Sequence, residues 1–225
     1  VLCQAMKAVV MYCAVLCVVR FGTPIDPFCN PVDESGRSIV TGQRTIDPGT
    51  YVQRRGKATL DIKRDAAYTR ELGDCLLEHY TRDTVLMSTN LVAHILFRRL
   101  VRESPNVSLF GRMRFRGETR MTRQELIEDL GETRDRALEL ERRNVVRLSK
   151  VVRNYQPEAL LDRALSAWDG YHKRLVARTS GPNVIAEDPA LLLYYQNRCV
   201  DYAEALASES DRQAAREITL MGVRR

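Results

Sequence analysis

Five of the chain's twelve glycines and four of its eight prolines fall between residues 22 and 56. Proline lacks the N–H that a helix or ladder requires, and glycine carries the largest backbone entropy cost, so this stretch holds no long regular element. Turn signals recur through it: Asp26-Pro27, Asn30-Pro31, Ser35-Gly36, Thr41-Gly42 and Asp47-Pro48-Gly49. It reads as an elaborated surface loop in which Ser38–Val40 and Thr50–Val52 supply the arms of a small hairpin. After Asp65 apolar residues recur at three- and four-residue steps, and the pattern is helical to the end of the chain. Loops interrupt it near residues 104–120, 154–157 and 178–188.

The helices are legible one by one. Tyr68, Leu72, Cys75, Leu76 and His79 mark one apolar face. A second helix spans Thr84 to Arg102, with Leu86, Leu91, Ile95 and Leu100 inside and Arg98, Arg99 and Arg102 at its carboxyl end, where cations suit the helix dipole. Thr122-Arg-Gln-Glu125 is a capping box that opens a long helix through Leu126, Leu130, Ala137, Leu140 and Leu148. Pro157 begins the next, through Leu161, Leu165, Trp168 and Leu175, and Asp188-Pro189 starts the last, through Leu192, Tyr195, Cys199, Tyr202 and Leu206.

The first nineteen residues carry only Gln4 and Lys7 as strongly polar side chains. A helix of about 20 apolar residues crosses a bilayer, so a membrane span, a signal-peptide core, and a buried helix followed by a buried strand compete here. The β-branched run from Cys13 to Phe21, stopped by Gly22-Thr-Pro24, favours a short helix through Tyr12 and then a buried strand. A chain that opens on Val1 in the midst of apolar residues also reads as a segment of a longer protein.

Chemistry is sparse. The six cysteines form no C-x-x-C pair and make no pattern with His79, His94 and His172, so neither a metal nor any cofactor is expected, and the thiols read as reduced. No nucleophile elbow, Walker loop, dinucleotide fingerprint or H-E-x-x-H occurs. His79 and Asp83 lie four apart on one helix face and are placed to pair, which by itself is an ordinary surface contact. The net charge of +6 is concentrated in part in one arm, where Arg112, Arg114, Arg116, Arg120 and Arg123 stand against Glu118 alone, with Met113 and Phe115 interleaved. Guanidinium forks suit phosphates, and apolar residues between them suit a membrane surface, so these five are the candidate phosphate- or membrane-binding residues. A half-exposed strand with a solvated face has the same alternation. No nucleic-acid-binding motif accompanies the arm, and no nucleic-acid partner is expected.

Three stretches carry a resemblance. They are Cys17-Val-Val-Arg-Phe-Gly-Thr-Pro-Ile-Asp26 continuing to Ser38, Arg64 to Gly73 followed by Tyr80 to Ala93, and Asp188-Pro-Ala-Leu-Leu-Leu-Tyr-Tyr-Gln-Asn-Arg198. In order and spacing they resemble the carboxy-terminal part of the large membrane-associated glycerol-3-phosphate acyltransferases of bacteria. That resemblance implies acyl transfer from acyl-CoA or acyl carrier protein to the sn-1 hydroxyl of glycerol 3-phosphate, at the cytoplasmic face of the cell membrane, with peripheral lipids as partners. The family's base is the histidine of an H-x-x-x-x-D motif that lies upstream of a strand like Cys13–Phe21. No such motif occurs in this chain, so no catalytic residue is carried over. A histidine often found after Ser-Thr in the family is Asn90 here.

The expected fold is therefore mainly α with a small α/β remnant: a helix and buried strand, a loop and hairpin region, then a carboxy-terminal helical bundle. Residues 1–64 form the edge of an α/β acyltransferase core, and residues 65–225 a helical domain. The expected function is that of the carboxy-terminal part of such an acyltransferase, inactive alone. The rival is a helical binding module that engages anionic membranes or phosphorylated partners through its arginine arm.

Overall fold

Residues 18–40, 47–114 and 119–207 are described by the structure, a computed structural model. Mainly helical with small sheets, it divides into two units, Val19–Asp83 and the chain from Thr84 onward.

In the first unit Asp26 organises the turn-rich loop. Its carboxylate accepts from Phe28 N at 2.8 Å, Asn30 N at 2.9 Å and Asn30 Nδ2 at 2.8 Å. The Phe28 ring then stacks on Tyr51 at 4.3 Å and meets Tyr68 edge-on at 5.0 Å. The hairpin expected from Ser38–Val40 and Thr50–Val52 is placed differently. Pro48–Val52 is a 3-10 turn capped by Asp47, and the hairpin pairs β1 (Gln53–Arg54) with β2 (Lys57–Ala58). Ser38 forms an isolated bridge to Val32. Asp61 caps helix α1 (Ile62–Asp83) by accepting from Lys63 N and Arg64 N, both at 3.1 Å. Tyr68, Leu72, Cys75, Leu76 and His79 are its half-buried residues on the expected face. The boundary expected between residues 64 and 65 falls inside this helix, which belongs with the loop before it. Most of the expected Cys13–Phe21 strand, and the helix before it, lie outside the described residues. Its last four residues, 18–21, form no strand, and Phe21 is exposed.

The second unit is built around α2 (Ser88–Glu103), whose residues Ser88 to Phe97 are all buried. It begins four residues later than its periodicity suggests, because Val85–Leu86 form strand β3 instead. After α2 come the short helix α3 (Leu109–Met113), strand β4 (Thr119–Thr122) and helix α4 (Arg123–Arg142). The Thr122–Glu125 capping box forms as expected: Glu125 N donates to the Thr122 hydroxyl at 3.1 Å, and Thr122 N to the Glu125 carboxylate at 2.9 Å. Helix α4 stops well before Leu148. Asn144 turns left-handed with φ 59°, its N–H reaches Glu141 O, and Val145 N reaches Leu140 O, a Schellman stop with Asn in glycine's usual place. Leu148 then lies in β5 (Arg147–Leu148), which pairs in parallel with β3.

Helix α5 (Lys150–Asn154) and helix α6 (Pro157–Tyr171) follow, the latter with Pro157 in its first turn. Leu175, assigned to that helix by its spacing, lies beyond its end and is half-exposed. The expected loop at 178–188 contains a hairpin of β6 (Ala177–Ser180) and β7 (Asn183–Ala186), turning at Gly181 with φ 57°. Central β7 also pairs with β4, and its residues Val184, Ile185 and Ala186 are all buried. Asp188 caps helix α7 (Pro189–Gln196), its carboxylate accepting from Ala190 N and Leu191 N. A 3-10 turn (Asn197–Tyr202) and helix α8 (Ala203–Leu206) replace the rest of the expected last helix. Helix α2 packs against α4, α6 and α7, and this is where the core sits.

Glu141 ties three elements of this unit together. Arg153 Nε donates to its Oε2 at 2.8 Å and Nη2 to its Oε1 at 2.7 Å, while Leu148 N donates to Oε1 at 2.8 Å. Partial burial pushes the carboxyl up, but Arg153, the Leu148 N–H and the charge of Arg147 outweigh it and hold the group below 4.5. A depressed carboxyl adds stability above its unfolded pKa and loses it as pH falls through the folded value. Glu141→Gln is expected to cost about 1–2 kcal/mol near neutral pH, discounted because the Arg153 side chain is 44% exposed. It also flattens the acid limb: between about pH 7 and about pH 3 the variant loses less stability than the parent in urea unfolding. Equal acid losses in the two proteins contradict this assignment.

Candidate functional site

The arginine arm does not form one surface. Arg112 is bound inward: its Nε and Nη2 donate to Ser104 O at 3.2 and 2.9 Å, and Nη2 also reaches Pro105 O at 3.2 Å. These bonds close the loop between α2 and α3, so Arg112 serves as a brace. Arg123 stands in the first turn of α4 and reaches across to α6, where Nη2 meets Asp162 at 2.7 Å and Glu158 at 3.9 Å. Arg120 points outward from β4, between the buried Thr119 and Met121, as the alternation of a half-exposed strand requires. Arg114 is exposed at the end of α3. Arg116 lies outside the described residues. The guanidiniums of Arg112 and Arg123 are thus held by the protein's own oxygens, while the side chains of Arg114 and Arg120 are exposed.

Beside this region a cleft of about 240 Å³ opens between α2, β4 and α4, lined by Arg99, Arg102, Met121, Glu125, Glu128 and Asp129. Arg99 is engaged by Glu103 at 2.7 Å. The backbone N–H of Thr122, then its hydroxyl, keep Glu125 below its ordinary pKa, with the charge of Arg99 adding to them. Three carboxylates facing two guanidiniums make a mixed field, which attracts no polyanion strongly.

The His79–Asp83 pairing is replaced. Asp83 takes Arg20 at 3.0 Å and Arg82 at 3.5 Å, while His79 Nδ1 faces Arg82 Nη2 at 3.0 Å. An arginine can only donate, so that ring nitrogen is the acceptor.

The junction of α2 with α7 was not visible from spacing. Buried Asn90 accepts from Met87 N at 2.8 Å and donates Nδ2 to Tyr195 O at 3.0 Å. The Cys199 thiol, pushed up to about 12 by burial, donates to Asn90 O at 3.7 Å. From the same turn of α7 the Tyr195 hydroxyl meets His172 Nε2 at 2.8 Å, at the end of α6. The Tyr195 ring lies 5.7 Å from Trp168 and 5.2 Å from Tyr194. Burial first, then Tyr194 and Tyr171, push the Tyr195 phenol up to about 12, so it keeps its proton at neutral pH. The His172–Tyr195 pair is therefore a hydrogen-bonded strut between two helix ends. Among the described residues no cluster of His, Cys, Asp and Glu is arranged to hold a metal ion. Comparison with protein families, curated proteins and solved structures returns no match for this chain.

Proposed function

We propose that the chain is the carboxy-terminal part of a glycerol-3-phosphate acyltransferase of the large bacterial kind. It supports acyl transfer from acyl-CoA or acyl carrier protein, while an upstream half supplies the H-x-x-x-x-D base. The observation that carries the reading is that the stretches behind the resemblance meet in pairs. In the first unit Phe28 of the first stretch packs on Tyr68 of the second. In the second unit Asn90 of the second stretch hydrogen-bonds Tyr195 of the third, 105 residues away. Residues of the resembling stretches thus meet within each unit.

Among the described residues no helix is long and apolar enough to cross a membrane. That is compatible with the proposed peripheral placement on the cytoplasmic face of the cell membrane, where exposed Arg114 is the arm residue that meets lipid phosphates.

The test is enzymatic. The purified 225-residue chain, given palmitoyl-CoA and glycerol 3-phosphate, is expected to show no turnover above background. The product of the whole reading frame is expected to turn over, and to lose about 10²- to 10⁴-fold when the histidine of its H-x-x-x-x-D motif becomes alanine. Turnover by the 225 residues alone overturns the assignment of the base to an upstream half. A whole product with neither motif nor activity overturns the acyltransferase reading and leaves the arginine-arm binding module.

A further inference from the structure

The turn that carries Cys29 is held by more contacts than a surface loop needs. Cys29 N donates to Asp26 O at 3.0 Å and Asp26 N to Asn30 O at 3.0 Å, inside the carboxylate bonds of Asp26 already described. Asn30 Nδ2 also reaches the Tyr51 hydroxyl at 3.2 Å, beneath the stacked Phe28 ring. Within this frame Cys29 has φ 63°, a left-handed conformation that a side chain of its kind adopts only where its surroundings impose it. The consequence is directional. Its Sγ donates to Glu71 O on α1 at 3.7 Å, the carbonyl one helical turn before Cys75, so the Cys29 thiol sits over the turn that carries Cys75. Both cysteines are half-buried and free, so small oxidants reach them.

We propose that Cys29 and Cys75 are a reversible thiol–disulfide pair, oxidised by a hydroperoxide or a low-molecular-weight disulfide, which staples the residue 24–38 loop to α1. This goes beyond the acyl-transfer reading and stands without it. With a hydroperoxide, the Cys75 thiolate attacks the terminal peroxide oxygen, the O–O bond breaks, and an alcohol leaves. The Cys29 sulfur then displaces water from the Cys75 sulfenic acid and releases its proton. Two thiols lose two electrons and two protons, and the hydroperoxide becomes alcohol and water. Partial burial, then Cys75, Asp26 and Glu71, push the Cys29 thiol up to about 12, so little of it is thiolate at neutral pH and the second step is the slow one. Oxidation is consequently slow at neutral pH and faster as pH rises, because thiolate is the attacking form.

The full 225-residue chain, first reduced and then exposed to tert-butyl hydroperoxide, is digested with trypsin without reductant and mapped by mass spectrometry. The expected product links Phe21–Arg37 to Glu71–Arg82, two hydrogens lighter than their sum. Oxidation is also expected to raise the melting midpoint by on the order of 5–10 °C, reversibly with dithiothreitol. Cys29→Ser and Cys75→Ser abolish that rise, and Cys199→Ser keeps it. Cys29 or Cys75 carried to sulfinic acid without the linked peptide, or linked instead to another cysteine, overturns the proposal. The peptide map needs no variant, so a misfolded substitution does not affect it.

Discussion

Replacing Trp168 with alanine is expected to cost the second unit roughly 3–5 kcal/mol. Trp168 is 1% exposed, sits in the core with its ring 5.7 Å from Tyr195 of α7, and is the chain's single tryptophan. Its removal strips a large apolar surface from the middle of the core and leaves a cavity that the surrounding helices can close only in part. Its indole Nε1 is buried with no hydrogen-bond partner among the described residues. Trp168→Phe therefore gives up volume but also relieves an unpaired donor, and is expected to cost only about 1–2 kcal/mol. Urea unfolding followed by circular dichroism is the measurement, since the alanine variant lacks its fluorescent probe. An alanine variant within about 1 kcal/mol of the parent contradicts the placement of this ring.

The second large effect is expected at Asn90. Alanine there leaves the Met87 N–H and the Tyr195 carbonyl without their side-chain partner, a loss of about 2–4 kcal/mol. Asn90→Asp separates the two halves of this role. Aspartate keeps an acceptor for Met87 but sets a charge against the Tyr195 carbonyl, which raises its pKa in the folded state. A raised carboxyl pKa contributes stability below the unfolded value and loses it as pH rises through the folded one. The Asp variant should be as unstable as the Ala variant near neutral pH and recover below about pH 4. Equal deficits for both variants at every pH contradict the donor role of Nδ2.

What the sequence disclosed and what it concealed divides along one physical line. Local signals were readable: the Thr122–Glu125 box and Asp188 cap their helices, and Pro157 opens its own, as expected. The half-buried face of α1 follows its periodicity residue for residue. The stop after Arg142 was concealed because Asn144 takes the left-handed position that glycine usually marks. Strands β3 and β5 are two residues each, too short for any periodicity to report. The β6–β7 arms are four residues each around Gly181-Pro182, and they read as loop because the turn signal dominates so short a window. At the candidate site the arginines were visible as a run of charge. Their division into brace, ion pair and exposed side chain depends on Ser104 O, Asp162 and the β4 ladder, which chain spacing does not encode. The Asn90–Tyr195 bond was out of reach for the same reason.

That separation also sets a timetable. During synthesis α2 leaves the ribosome with its fully buried segment Ser88–Phe97 complete, but the α7 residues that cover it follow some hundred positions later. At about 5–20 residues per second the wait is on the order of 5–20 s. Through that interval the most deeply buried helix of the unit has only early-made elements to lean on. The growing chain therefore depends on α4 and α6 for shelter, or on a chaperone, until Asp188 caps the helix that completes the core.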